Sequence, residues 1–381
     1  MQKIKGLDTL RAFAVFFVII EHFGVWFDYT SPSGAFIKDV IIPSGGFGVH
    51  LFFVLSGFLI TAILLDAKKT NNGKHPVFII KNFYARRALR IFPIYYLLLA
   101  LLFLINYPEV RQDIGYYVTY TSNLLMYRTN RWSFLGHTWT LSIEEQFYLL
   151  WPWLIIFVKD KYLKYVFAGS LLLGIITTYI GMVVQGHMAP FLVFNSFDAF
   201  GLGGLYAWSR ADDLRRKNFE TSLNVVFVGA FFVYCYWNIA HLYHHAAIAL
   251  WMGKTVDSVI SLWLIVRTTN NKSRLVGKYV LGNRALNYIG KISYGIYLYH
   301  YPYILHFCYG VNKYLYDITL PYPALNRTIH DHHVDYWIQV SIMILIAAIS
   351  YELIEKPILS LKRKFSYEDA VKDVVPVAQV K

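Results

Sequence analysis

The stretch "RAFAVFFVIIEH", residues 11–22, decides the fold class. Between Arg11 and Glu21 it holds no polar side chain. With its neighbours it forms an apolar run over roughly 9–27, about the 20 residues that a helix needs to cross a bilayer. Residues 11 apart on a helix are turned about 20° past three full turns, so Arg11 and His22 lie on one face, roughly 16 Å apart along the axis. Asp8 joins this stripe near Arg11, and Val15 and Val18 lie between the two ends, placed to line a passage. An ionisable residue within a span is costly unless it faces the bundle interior, so His22 marks a functional position. The competing reading puts His22 and Glu21 at the outer boundary, paired with each other or with water. Histidine has the titration range that general-base chemistry near neutral pH requires.

The rest of the chain repeats the pattern. Of its 381 residues 56% are hydrophobic and 15% charged, where soluble domains carry about a quarter charged residues. Aromatics reach 18%, which suits long membrane-water boundaries. The expectation is an all-α polytopic membrane helix bundle of about ten transmembrane helices: 9–27, 46–65, 89–106, 144–158, 164–184, 196–208, 222–241, 246–266, 287–308 and 337–355. The sixth, around "NSFDAFGLGGLYAW" (195–208), carries Asp198 and three glycines. It is therefore expected to be broken or tightly packed against a neighbour.

The net charge of +13 does not point to nucleic acid, because the basic residues cluster between the apolar runs. With ten spans, 29 Lys and Arg fall on the side of the termini. Only Lys38, Arg111, Arg128, Arg131, Lys254, Lys313 and Arg327 fall on the other. That bias predicts an integral membrane protein with both termini cytoplasmic. Cys235 and Cys308 lie in or beside apolar segments and define no disulfide framework. The basic N-terminus has no small-residue cleavage site, so the first span is expected to be retained. One membrane domain, 1–360, followed by a polar cytoplasmic tail, 361–381, is expected to carry the function.

Six fragments in order resemble the acyltransferase-3 family of integral membrane O-acyltransferases. They are "GLDTLRAFAVFFVIIEHF" (6–23), "GGFGVHLFFVLSGFLIT" (45–61), "FYARRALRIFPIYY" (83–96), "HTWTLSIEEQFYLLWP" (137–152), "ISYGIYLYHYP" (292–302) and "YELIEKP" (351–357). The resemblance implies transfer of an acyl group, usually acetyl from cytoplasmic acetyl-CoA, to a hydroxyl of an extracytoplasmic glycan, a lipid-linked saccharide or another small acceptor. It implies that His22 is the catalytic base or acyl relay, and that Arg11, Arg86, Arg87 and Arg90 serve the donor. An esterase-like domain that some members carry after the membrane part is not expected here.

The chemistry agrees with these residue types. Arginine forks match phosphate oxygens, and Arg86 and Arg90 stand one helical turn apart; an ordinary positive-inside cluster is the bland alternative. Ester formation needs one neutral imidazole, acting as a base or through an acyl-histidine. His300 lies about as deep in the ninth span as His22 in the first, and is assigned a supporting, acceptor-side role against the alternative of a packing histidine before Pro302. Glu144 is a candidate for orienting an imidazole or binding sugar hydroxyls, with a helix cap as its competitor. Glu355 is expected to pair with arginines. His50 and Ser196 depart from the family pattern, which has an acidic residue and an arginine there. The histidines of "HLYHH" (241–245) and "HDHHVD" (330–335) lack ligand spacing, and no metal is expected. The rival readings are a proton-coupled transporter, an acyltransferase for a small-molecule acceptor, and a glycan-binding membrane component.

Overall fold

The structure is a computed structural model, in which residues 4, 6–23, 43–70, 76–185, 191–240, 247–270 and 273–367 are described. Lys38, the 241–245 histidines and the tail from 368 lie outside them. The described residues are helical, with no strand among them. Ten long helices carry the bundle: α1 (Leu7–Phe23), α2 (Gly45–Lys69), α3 (Pro76–Leu104), α4 (Trp139–Phe157), α5 (Leu163–Gln185), α6 (Phe197–Ser209), α7 (Asp213–Ile239), α8 (Ala247–Thr269), α9 (Arg284–Pro302) and α10 (His332–Ser350). Over its described residues, each expected apolar run overlaps one of these helices. By length and composition, five of the described helical segments can cross a membrane: Gly45–Lys69, Pro76–Leu104, Asp160–Val183, Asp213–Ile239 and His333–Phe365.

Lipid supplies no hydrophobic drive for helix association, so close packing at small residues has to hold the bundle together. α6 is unbroken, and Gly203 presses it onto α2: a Cβ there would meet the backbone of Val54 and Phe58, and one at Gly57 of α2 the backbone of Phe200. α2 meets α1 in the same way, with Gly48 against the Ala14 carbonyl. On the opposite side of α1, Gly290 of α9 lies against the Asp8 carbonyl. α1 is thus clamped between α2 and α9. Beyond the glycines, Phe147 stacks on Phe200 at 3.8 Å between ring centroids, and Trp151 Nε1 donates to Thr61 Oγ1 at 2.7 Å.

Four segments differ from expectation. Val15 and Val18 are fully buried, because Gly48 lets α2 fill the space beside them, and they line no passage. α3 begins 13 residues before its expected start, so Arg86, Arg87 and Arg90 lie within a long helix. After Pro302 the chain stays helical beyond the expected end at 308, passing through a π-turn (Tyr303–Phe307) into Cys308–Thr319. The described part of the expected tail is docked: Leu361–Phe365 forms a 3-10 turn whose Lys362 and Phe365 carbonyls accept from Arg86.

Gly290→Ala should lower the thermal midpoint of the detergent-solubilised protein by the equivalent of about 1–3 kcal/mol, as overpacking does. Gly229→Ala, where a Cβ meets nothing within 4 Å, should hold or raise the midpoint, by up to about 1 kcal/mol of helix propensity. Fluorescence-detected unfolding of the two variants checks the clamp, which is wrong if they behave alike.

Candidate functional site

His22 lies in the last turn of α1, half-buried, with Nδ1 2.8 Å from the Val18 carbonyl. A carbonyl only accepts, so in the neutral ring Nδ1 carries the proton and Nε2 keeps its lone pair. α9 brings His300 against it, with ring centroids 5.0 Å apart. His300 is fully buried; its Nδ1 donates to the Tyr297 carbonyl at 2.6 Å, and its Nε2 has no hydrogen-bond partner. The short 3-10 turn Gly136–Thr138 before α4 adds a third imidazole, His137, 5.2 Å from His300. His137 is also buried; Nε2 donates to the Leu298 carbonyl at 3.1 Å and Nδ1 is unpartnered. His22 and His300, read from the sequence as lying at about the same depth, are thus side by side within a layer of three imidazoles. Each is tethered to a main-chain carbonyl through one nitrogen and has a lone pair on the other.

A cavity bounded by α1, α2, α3, α4 and α9 lies beside this layer, toward the Arg11 end of α1. Arg11, Arg87 and Arg90 line it together with Glu144 and Glu145. Arg11 is held by Asp8 at 2.7 Å. The Arg87 guanidinium lies over the rings of Tyr148 (4.9 Å) and Phe83 (5.6 Å), a placement that favours a cation in a low-dielectric setting. Ser56 Oγ donates to Glu144 Oε1 at 2.6 Å and lies 3.3 Å from the Tyr148 hydroxyl. Glu145 Oε1 is buried without a partner. Three cations and two carboxylates around one space suit a polar ligand with both anionic and donor groups.

Tyr297 joins the two parts. It lines the cavity, its hydroxyl donates to the His137 carbonyl at 3.0 Å and lies 2.6 Å from Thr140 Oγ1, and its ring is 5.3 Å from that of His300.

Two of the expected site residues lie elsewhere than the sequence suggested. Arg86 turns away from the cavity to the 362–365 carbonyls and to the Tyr367 ring at 5.5 Å. Glu144 is no helix cap, since α4 starts five residues earlier, and it belongs to the arginine cavity rather than the imidazole layer. Glu355 is buried beside Gly295 with Oε1 unpartnered, and no ion pair to an arginine is present among the described residues. His50 faces Asp257 of α8 at 3.4 Å, and Asp198 accepts from Thr255 Oγ1 at 2.7 Å. Asp331 caps α10 through the His333 amide at 3.0 Å, which gives the 330–335 run a structural account. Among the described residues no group of three His, Cys, Asp or Glu is placed to hold a metal ion.

The sequence reading missed His137, Tyr297 and Glu145. The Ser293, Tyr297, His300 spacing puts these residues on one helix face, and that signal was present in the sequence.

Comparison with known proteins adds to this geometry. Residues 4–351 match the acyltransferase-3 family, described as an acyltransferase domain. The chain is 27% identical to the peptidoglycan O-acetyltransferase OatA of Listeria monocytogenes, with 93% of this chain and 56% of that protein covered. It is 26% identical to the putative peptidoglycan O-acetyltransferase YrhL of Bacillus subtilis, over 93% and 55%. It is 28% identical to the O-acetyltransferase OatA of Staphylococcus aureus, over 93% and 57%. The chain thus spans about half the length of these curated relatives. No solved structure matches it.

The burial pattern predicts the order of imidazole modification. Diethyl pyrocarbonate, which acylates a free imidazole nitrogen, should label His22 before His137 and His300 in the folded protein. Peptide mapping by mass spectrometry reads this out, and earlier labelling of His300 would contradict the packed layer.

Proposed function

This chain belongs to the acyltransferase-3 family, and we propose that it moves an acetyl group from cytoplasmic acetyl-CoA to a hydroxyl of an extracytoplasmic glycan. The observation that carries the reading is the juxtaposition of an arginine-lined cavity with an imidazole layer, joined by Tyr297. A CoA thioester brings phosphates and a long polar arm, and a glycan hydroxyl needs a base; the two parts of the site answer to these needs in turn. The names of the relatives support a glycan acceptor. The distribution of basic residues supports cytoplasmic termini, and the kind of relatives found supports a bacterial cell membrane as the location.

In this reading Arg11, Arg87 and Arg90 hold the donor's phosphates, and the thioester extends toward His22. Nε2 of His22 takes the proton from the acceptor hydroxyl as its oxygen attacks the thioester carbonyl. The tetrahedral adduct collapses with cleavage of the C–S bond, and the thiolate takes the proton back from His22. The Nδ1 bond to Val18 holds the ring in the tautomer that this needs. His300 supports the ring of His22 from the acceptor side. Glu144 and Glu145 accept hydrogen bonds from the donor's amide and hydroxyl groups.

The test is genetic and chemical. In the host lacking the gene, alkali-labile acetyl esters on surface glycans should disappear, return with the wild-type chain, and not return with His22→Ala at matched protein level. A base contributes about 10²–10⁴ in rate, so the variant should fall below detection by mass spectrometry. Full restoration by His22→Ala would sink the assignment. Arg87→Gln should raise the half-saturating acetyl-CoA concentration about tenfold, the worth of about 1.4 kcal/mol, in membrane assays with labelled donor. An unchanged value removes Arg87 from the donor site.

A further inference from the structure

Beyond the imidazole layer, on the side away from the arginine cavity, lies an aromatic surface that the catalytic reading does not use. We propose that Trp132 and Tyr301 form the platform on which one pyranose ring of the acceptor lies while its hydroxyl meets His22; this rests on the glycan reading above.

Trp132 is 43% exposed, in the segment just before the 3-10 turn that carries His137. An exposed tryptophan on a membrane protein is ordinarily a member of the interfacial belt, with its N–H turned to headgroup water. Here the indole Nε1–H instead donates to the Tyr301 hydroxyl at 2.7 Å. Gly136 makes this pose possible, because a Cβ there would run into the indole ring. The ring is therefore fixed at its polar edge. It is also flanked by Phe191, 5.7 Å away between centroids.

Tyr301 continues the surface inward. Its ring stacks on His137 at 5.2 Å and 29°, and meets His22 at 5.5 Å and 85°. An aromatic surface thus leads from the exposed Trp132 to the imidazole assigned as base. A pyranose ring has an apolar C–H face and a rim of hydroxyls. Its face packs on a rigid aromatic ring at little entropic cost to the protein, and its rim is then left for hydrogen bonds. With its N–H already engaged, the indole offers its face and not its donor, which suits a sugar and gives nothing to a phosphate or a carboxylate. The ligand class is a hexopyranoside within a glycan, taken by its face.

The experiment uses full-length protein in membranes, labelled acetyl-CoA, and ester-free glycan oligosaccharides prepared from host cells lacking the gene. Trp132→Ala should raise the acceptor concentration for half-saturation about tenfold without moving that of acetyl-CoA, and Trp132→Phe, which keeps an aromatic face, should recover most of the loss. A Trp132→Ala variant with wild-type half-saturation overturns the platform. So does one whose turnover at saturating acceptor collapses with no recovery in Trp132→Phe, since that marks a packing role. The wild-type arm separates the two readings. If wild type acetylates a small alcohol but no glycan, the glycan reading fails and takes the platform with it; if it acetylates glycan and Trp132→Ala does so equally well, only the platform falls.

Discussion

The contact on which the site depends is the approach of α9 to α1 at Gly290, whose missing side chain leaves room for the Asp8 carbonyl. Helices that meet through ordinary side chains stand about 8–10 Å apart, and a backbone carbonyl set against a glycine requires a closer approach. Because α1 and α9 touch near their Asp8 and Gly290 ends and run on together, His22 and His300 meet about four turns farther along α1 and about three along α9, with rings 5.0 Å apart. Gly48 repeats the arrangement on the other side of α1. In a medium that supplies no hydrophobic force between helices, such backbone contacts are what fix the rotation of each helix. Rotation decides whether an imidazole points at another imidazole or at lipid.

Around this clamp, polar groups are placed so that charge in a low-dielectric interior is shared. Arg11 has Asp8, Arg87 has two aromatic faces, and Glu144 has the Ser56 hydroxyl. Away from the cavity, Lys68 holds the end of α4 through the Ile155 and Val158 carbonyls and Asp160. Arg86 ties down the 361–365 turn. The basic residues that read alike in sequence thus divide into those that lock the framework and those left lining a space. That division follows from which helix face each occupies.

The sequence made the helices legible because apolar runs of membrane length leave little choice of structure. It also placed Arg11 and His22 on one face, since a single helix fixes that relation. Relations between helices were beyond it. Arg86 and Arg90 looked like the phosphate pair at i and i+4, yet the face that meets the cavity carries Arg87 and Arg90, together with Arg11 from another helix. His137 and Glu144 stand seven residues apart in one fragment of the sequence. His137 sits in the 3-10 turn and Glu144 in the second turn of α4, and one joins the imidazoles while the other joins the arginines. Val15 and Val18 were read as lining a passage because a stripe on one helix says nothing of what a neighbour inserts beside it.

The burial of Val15 and Val18 also constrains how the two parts of the site communicate. The face of α1 between Arg11 and His22 is buried at Val15 and Val18, neither of which lines the arginine cavity. The link that remains is Tyr297, whose hydroxyl is shared between Thr140 and the His137 carbonyl. A buried hydroxyl with both partners satisfied is costly to displace. A substrate arm that moves it has to offer hydrogen bonds in exchange, and the amides of a pantetheine-like arm carry both donors and acceptors, whereas an aliphatic chain carries neither.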